Sequence, residues 1–257
     1  MRLLLPCLLV LTFSASCGKL RLFNLKSSEQ KQDISQIYAA GNLKVSVFYE
    51  PGAEPYTDGV AGIKVWNVLE QNLKALFPGK NIIVPKDLSA MSPLSSLNKS
   101  TWSNSEIKVL GDNFGEGSTT DTSVFNVFFV KGHAEGTNGQ YVIGLHLSGT
   151  KTLMVFKETV EASDTSANST VVKRYVEQST LVHEVGHALG LVNNGVAMST
   201  THEDPTHHAH CNNPNCVMYW ENEGAAALKN FIQNRLTNPN LVMYDQACIQ
   251  DVTSYQK

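Results

Sequence analysis

The chain has 257 residues, of which 42% are hydrophobic, and its 20 Lys and Arg against 23 Asp and Glu give a formal net charge of −3 at pH 7. This length and hydrophobic content suffice for one domain with a sizeable core, or for two small domains. The near-balanced charge, without a long run of like charges, excludes the basic surface of a nucleic-acid-binding protein, so no nucleic-acid partner is expected. The composition also excludes low-complexity disorder and collagen-like repeats.

The first 16 residues have the pattern of an export signal. Arg2 precedes an apolar run from Leu3 to Leu11, and small residues at positions 14–16 come directly before Cys17. The apolar run is too short to span a membrane, and the three regions follow the order of a secretory signal. A cysteine after small residues resembles a bacterial lipoprotein signal, which implies that Cys17 carries a lipid. We therefore expect a lipid anchor to a membrane of the bacterial cell envelope, at the outer membrane or cell surface. An ordinary cleaved signal with an incidental cysteine is the alternative.

Residues 17–42 are polar and are interpreted as a tether, with a short pro-segment as the alternative, and residues 43–257 as the folded domain. Apolar patterns predict strands at Leu43–Tyr49, Asn81–Val84, Ile107–Leu110, Val124–Val130, Tyr141–Leu147 and Thr152–Phe156. Helical spacing predicts helices at about Thr57–Phe77, Thr170–Leu189 and Glu223–Leu236. This order predicts an α+β fold with a mixed, mostly parallel twisted sheet packed by helices.

The strongest chemical signal is the segment Thr180–Gly190, which reads TLVHEVGHALG. His183 and His187 are four residues apart in a predicted helix, so both imidazoles lie on one face and can bind one ion. Imidazole suits Zn²⁺, and Glu184 beside the first histidine can accept a proton from water at the metal. The alternative is a chance match in a core helix. However, buried polar side chains without partners cost several kcal/mol, which favours a bound metal.

Two further features resemble the metzincin metalloproteases. Gly190 lies three residues after His187, and a His-rich loop leads to a segment with the pattern of a Met-turn at Met218. The run His210-Cys211-x4-Cys216-x-Met218 resembles the archaemetzincin subgroup, in which the third His directly precedes such a segment. The resemblance implies a zincin-like fold in which the active-site helix is followed by a Met-turn subdomain. It also implies a catalytic zinc with Met218 as its apolar floor.

The third zinc ligand departs from the metzincin pattern. The position ten residues after His183 is Asn193, a weak zinc ligand, and an apparent insertion separates Gly190 from His210. His210 keeps the spacing to the Met-turn that the resemblance implies, so we expect it to be the third ligand. The alternatives are an acidic residue or one of the residues Asn193, His202, His207 and His208.

Three cysteines remain beyond the export signal and Cys17: Cys211, Cys216 and Cys248. An exported chain meets oxidising conditions, so a disulfide among these three is expected, with one thiol left over. Archaemetzincins hold a second, structural zinc with further cysteines, but this chain lacks the later Cys-x2-Cys pair. We therefore expect no second zinc, and either Cys211–Cys216 or one of these two with Cys248 as the disulfide.

Together these features predict a zinc-dependent endopeptidase that hydrolyses protein or peptide substrates with Glu184 as the general base. The Tyr141–Leu147 strand is a candidate edge strand for a bound peptide. One alternative is a non-catalytic zinc-binding envelope lipoprotein. Another is a zinc hydrolase of non-peptide amides, or a gluzincin-type peptidase with Glu221 or Glu223 as third ligand. Gly190 disfavours the gluzincin alternative, because gluzincins continue the helix.

Overall fold

The computed structural model describes residues 34–59, 64–165, 169–233 and 240–256. The predicted export signal, Cys17 and most of the tether lie outside these residues. Among the helices described, none combines the length and apolarity needed to cross a membrane. The fold begins before the expected boundary, because residues 34–39 form a helix, α1, whose Ile34 and Ile37 are buried in the core. The segment interpreted as a tether therefore belongs to the folded domain from residue 34 onward.

A mixed sheet forms the centre of the domain. Its strands, together with a separate short pair, are β1 (Asn42–Tyr49), β2 (Asn81–Ile83), β3 (Ser92–Pro93), β4 (Thr101–Trp102), β5 (Thr122–Val130), β6 (His133–Ala134), β7 (Gly144–His146) and β8 (Thr152–Phe156). The spatial order is β2-β1-β5-β8-β7, with β3 paired to the end of β1, and β4 pairs with β6 outside the sheet. Every neighbour is parallel except β7, which runs antiparallel to β8 at the edge. The predicted mixed, mostly parallel sheet is confirmed.

Helices cover both faces of this sheet. After α1 they are α2 (Asn67–Leu76), α3 (Asn104–Phe114), α4 (Lys157–Ala162), α5 (Ser169–Ala188), α6 (Ala225–Gln233) and α7 (Gln246–Tyr255). Successive side chains of a strand point to opposite faces. In β5, Phe125, Val127 and Phe129 therefore join the larger core, whereas Phe128 and Val130 join the smaller one. Because both faces are buried, β5 has the continuous apolar run typical of a parallel strand.

Several predicted elements differ in the structure. The strand expected at Tyr141–Leu147 is limited to Gly144–His146, because Tyr141 lies in a 3₁₀ helix, and the helix expected from Glu223 begins at Ala225. The strand expected at Ile107–Leu110 is wrong, because these residues lie in α3 and place Ile107 and Leu110 in the smaller core. Four residues are too few to distinguish a strand from one face of a helix. The helix expected from Thr57 begins only at Asn67, and residues 57–59 have no regular structure.

Helix α5 carries the predicted metal-binding motif, and it packs against the edge strand β7 as well as α2 and α6. It ends where the sequence predicts, because Gly190 adopts a positive φ of 77°. The Gly190 N–H donates to the His187 carbonyl at 3.0 Å and the Leu191 N–H to the Gly186 carbonyl at 3.1 Å. These two bonds form a Schellman motif, which turns the chain away directly after His187.

Candidate metal centre

Three histidines converge at the C-terminal end of α5. His183 and His187 lie one turn apart on the helix, with their Nε2 atoms 3.0 Å apart. His210 comes from the end of the insertion, and its ring centroid is 5.3 Å from that of His183 and 4.8 Å from that of His187. One donor atom from each of the three, and one from Glu223, lie within 4.8 Å of one another. The structure thus brings together the three predicted ligands and adds a carboxylate.

The other residues considered as third ligand are not members of this group. They have partners elsewhere. His202 contacts Asp251, and His207 stacks on the ring of Trp220. His208 and Asn193 both contact Glu203. Asn193 adopts a positive φ of 61°, in the turn that starts the insertion. Asn is among the residues that tolerate this backbone conformation, so Asn193 serves a turn.

The protonation states of the helix histidines suit a metal ligand. The Nδ1 atom of His183 lies 2.7 Å from the Val217 carbonyl, which can only accept, so Nδ1 carries the proton and Nε2 is left bare. Burial lowers the pKa of His183 to about 4 and holds the pKa of His187 well below its ordinary value. Neutral imidazole with one bare nitrogen and the other bonded to a carbonyl is the form that binds zinc. The donor set therefore fits Zn²⁺.

Glu184 belongs to α5, and its side chain faces the edge strand β7. Its side chain is buried, and it accepts a hydrogen bond from the backbone N–H of His146. Burial raises the pKa of Glu184 to about 8, and the negative charge of Glu223 acts in the same direction. A carboxyl group with a pKa near neutrality can both accept and donate a proton, which suits general acid–base catalysis.

Met218 lies under the helix segment that carries the two ligands. Its side chain is fully buried, and a Cβ atom placed on Gly186 would come within 2.3 Å of its Sδ atom. The turn around Met218 is held by two backbone bonds, from the Cys211 N–H to the Met218 carbonyl and from the Val217 N–H to the Met243 carbonyl. Gly186 thus allows a close contact between the helix and Met218, whose role as a metal-site floor stays a prediction.

A cavity of about 770 Å³ opens beside the histidine group. Glu184, His187, His210 and Glu223 form part of its wall, and Gly144–His146 of the edge strand form another part. The described residues that line it include carboxylates but neither lysine nor arginine. An extended chain could enter this cavity alongside β7, the edge strand of the sheet.

A second group of donors surrounds the three cysteines, which are free and buried. The Sγ atoms of Cys216 and Cys248 are 3.7 Å apart, and Nδ1 of His202 is 3.4 Å from Sγ of Cys211. One donor atom each from His202, Cys211, Asp245 and Cys248 lie within 4.8 Å of one another. From the sequence, His202 was expected only as an alternative third ligand of the catalytic zinc. Its grouping with the cysteines was not predicted, since residues up to 46 positions apart leave no local signal.

Comparisons with known proteins add little to this geometry. Neither the models of known protein families nor the curated proteins include a match to the sequence. Among solved structures, the chain is similar to a zinc-dependent peptidase from Methanocorpusculum labreanum, with 13% identity and a TM-score of 0.43. The alignment covers 81% of this chain and 99% of that chain. The functional assignment therefore rests on the site itself.

Proposed function

We propose that the protein is a zinc-dependent endopeptidase that hydrolyses peptide bonds of protein substrates. The observation that carries this proposal is the convergence of His183, His187 and His210, of which the last two line one open cavity together with Glu184. Three imidazoles with an open side are the ligand arrangement of a catalytic rather than a structural zinc site. A purely structural site would not need a buried carboxyl group next to the metal. This position of Glu184 favours an enzyme over a non-catalytic zinc-binding lipoprotein.

The residues of the chain would divide the chemistry as follows. His183, His187 and His210 would hold the ion, with the Val217 carbonyl orienting the ring of His183. Zn²⁺, when bound, acts as a Lewis acid that acidifies water and polarises a peptide carbonyl. The Glu184 carboxylate would accept a proton from water and donate it to the leaving amine. The backbone of β7 would align the substrate as an added strand at the sheet edge.

The cellular setting remains part of the proposal. Cys17 would carry the lipid anchor, and the domain would act at the bacterial cell envelope on proteins or peptides that reach the cavity. The absence of lysine and arginine among the described residues of the cavity wall favours substrates without a dense negative charge near the cleaved bond.

Substitution of the proposed base tests the function directly. In Glu184→Gln, we expect peptide cleavage to fall by at least about 10²-fold, because a general base contributes roughly that much, while zinc content is unchanged. Cleavage of an unfolded protein such as casein and metal analysis of the same sample measure both effects. The matched control is Glu221→Gln, at an exposed glutamate outside the histidine group. Full cleavage by Glu184→Gln would contradict the base assignment, and cleavage unaffected by a chelator would contradict zinc dependence.

We also propose that the cysteine group holds a second, structural zinc, which reverses the expectation from the sequence. His202, Cys211 and Cys248, together with Asp245, have donor atoms within 4.8 Å of one another, and the Sγ atom of Cys216 lies 3.7 Å from that of Cys248. Three cysteines and one histidine are a ligand set that structural zinc sites use. The Nε2 atom of His202 lies 2.7 Å from the buried Asp251 carboxylate, so its Nδ1 atom is the one that faces the thiol of Cys211. A carboxylate behind the histidine is a recurrent feature of zinc sites. The disulfide remains the competing prediction for the same thiols.

A further inference from the structure

Glu223 lies against the three histidines, although the sequence suggested it only as a replacement for one of them, the third ligand. Its Oε1 atom is 3.0 Å from Nε2 of His210 and 4.0 Å from Nε2 of His183. Glu223 is thus a member of the donor group in addition to three imidazoles, on the side of the group that faces the cavity. Three imidazole ligands leave one position of a tetrahedral zinc, and the nearby carboxylate is a chemically suitable group for it.

The backbone that carries Glu223 is held close to the histidines from both sides. Glu223 ends a short 3₁₀ helix, Trp220–Glu223. Within it, the buried amide of Asn222 donates to the Cys216 carbonyl at 3.0 Å and to the Val217 carbonyl at 3.2 Å. Val217 is also the residue that orients His183. On the other side, Gly224 forms an antiparallel β-bridge with Val142, which lines the cavity. The position of Glu223 is therefore set by the same residues that position the histidine ligands.

The atoms next to Glu223 suit a carboxylate that faces a cation. Its Oε1 atom is in hydrogen-bond contact with Nε2 of His210, a nitrogen that can bind a metal. An ion held at Nε2 of His210 in place of the proton would therefore have the Glu223 oxygen beside it. The described residues of the cavity wall provide no lysine or arginine as another partner there.

We propose that Glu223 is a fourth protein ligand of the zinc in the resting protein, and that it yields this position to water or substrate. A site with four protein ligands is closed and inactive, whereas one with three is open to chemistry. The Glu223 side chain is 56% exposed, so it can rotate into the cavity without disrupting the core. The carboxylate would thus keep the zinc bound and the site closed until a substrate enters. This inference rests on the proposed zinc site at the three histidines.

A crystal structure of the zinc-loaded, full-length protein provides the first test, because it resolves this metal separately from one at the cysteines. We expect a Glu223 carboxylate oxygen at about 2.0–2.2 Å from the zinc in the wild type. In Glu223→Gln, a water should take that place. Zinc bound by three histidines with water in the fourth position of the wild type would overturn the role of Glu223 and leave the proposed function intact. No zinc at the three histidines would overturn both.

The rate of zinc transfer from the protein to a chelator provides a readout that does not depend on activity. We expect zinc release from the histidine site to be at least about tenfold faster in Glu223→Gln. This lower bound is the loss of metal affinity that removal of an outer-shell partner causes. Glu221→Gln is the matched control, because it removes one carboxylate from the same 3₁₀ helix, and it should release zinc as the wild type does. Equal release rates for the wild type and both variants would contradict a ligand role for Glu223.

Discussion

Burial has opposite effects on the two kinds of titratable residue in the site. It lowers the pKa of His183 to about 4 and raises the pKa of Glu184 to about 8, so both side chains are uncharged near pH 7 without a metal. Neutral histidines are ready to bind a cation without losing a proton. A divalent ion would in turn stabilise the charged form of Glu184. The physical cause of both shifts is the same apolar surroundings of α5.

Gly186 is a residue whose identity is explained by one contact. Alanine normally stabilises a helix interior by roughly 1 kcal/mol relative to glycine. Here the added Cβ would lie 2.3 Å from Met218 Sδ and 3.3 Å from a ring carbon of Tyr244, both buried. We therefore expect Gly186→Ala to lower the free energy of unfolding by about 1–3 kcal/mol through overpacking.

Urea unfolding of the purified variants measures this effect. The control is Gly79→Ala, because nothing lies within 4 Å of a Cβ placed there, and its stability should stay near that of the wild type. A Gly186→Ala protein more stable than the wild type would show that helix propensity outweighs the contact with Met218.

At the scale of elements, a capping signal identifies the helix α3, which apolar spacing alone does not identify. Ser103 is its N-cap, and Ser103 and Glu106 form a capping box with each other's backbone N–H groups. The pattern Ser-x-x-Glu before an apolar residue is a recognised start of a helix, and it was available in the sequence. The strand predicted at Ile107–Leu110 rested on apolar residues alone and left this capping pattern out of account. By contrast, β8 has the bounds predicted from its apolar run, Thr152–Phe156.

The capping box also predicts a dependence of stability on pH. The hydrogen bond from Lys99, followed by those from Ser103, lowers the pKa of Glu106 from 4.5 to about 2. A lowered pKa in the folded state means that the ionised side chain stabilises the fold above pH 4.5, and that this contribution is lost as the pH falls through about 2. We expect Glu106→Gln to lower the melting temperature at pH 7, and the difference from the wild type to shrink as the pH approaches 2.

Thermal unfolding of both proteins from pH 7 downward checks this expectation. A difference that stays constant over that range would assign the effect to lost packing rather than to charge. Glu221→Gln serves as the control for removing one exposed carboxylate.

At the scale of the whole molecule, the cysteine group joins segments that are far apart in the chain. His202 and Cys211 belong to the insertion and its end, whereas Cys248 and Asp251 lie on the last helix, α7. His210 is adjacent to Cys211, and Val217, which orients His183, is adjacent to Cys216. A metal at the cysteines would therefore hold in place both His210, the third ligand, and Val217, the hydrogen-bond partner of His183.

Removal of one of these cysteines tests the second zinc. We expect two zinc ions per wild-type chain and one in Cys248→Ser, with a lower melting temperature because a structural metal contributes folding energy. Metal analysis and thermal unfolding measure the two quantities, and Ser254→Ala, at an exposed position on the same helix, is the control. One zinc per wild-type chain, with a disulfide found by mass spectrometry, would support the predicted disulfide instead.

The sequence by itself determined the parts of this protein that depend on local spacing. Two imidazoles four residues apart on a helix must share a face, so the pairing of His183 with His187 follows from helical geometry alone. The end of α5 at Gly190 and the buried strands β5 and β8 follow from similarly local patterns. No long-range contact is needed for any of these features.

Only the tertiary structure decided which distant residues complete the two donor groups. The insertion removes the fixed spacing to α5 that would identify a third ligand. His210 was therefore expected only from its spacing to the Met-turn, with other histidines as alternatives, until it was seen beside α5. Glu223 and the partners of Cys211 are brought in by packing between segments, which periodicity does not encode. Helical geometry acts over a few residues, whereas these contacts depend on how the whole chain folds around the sheet.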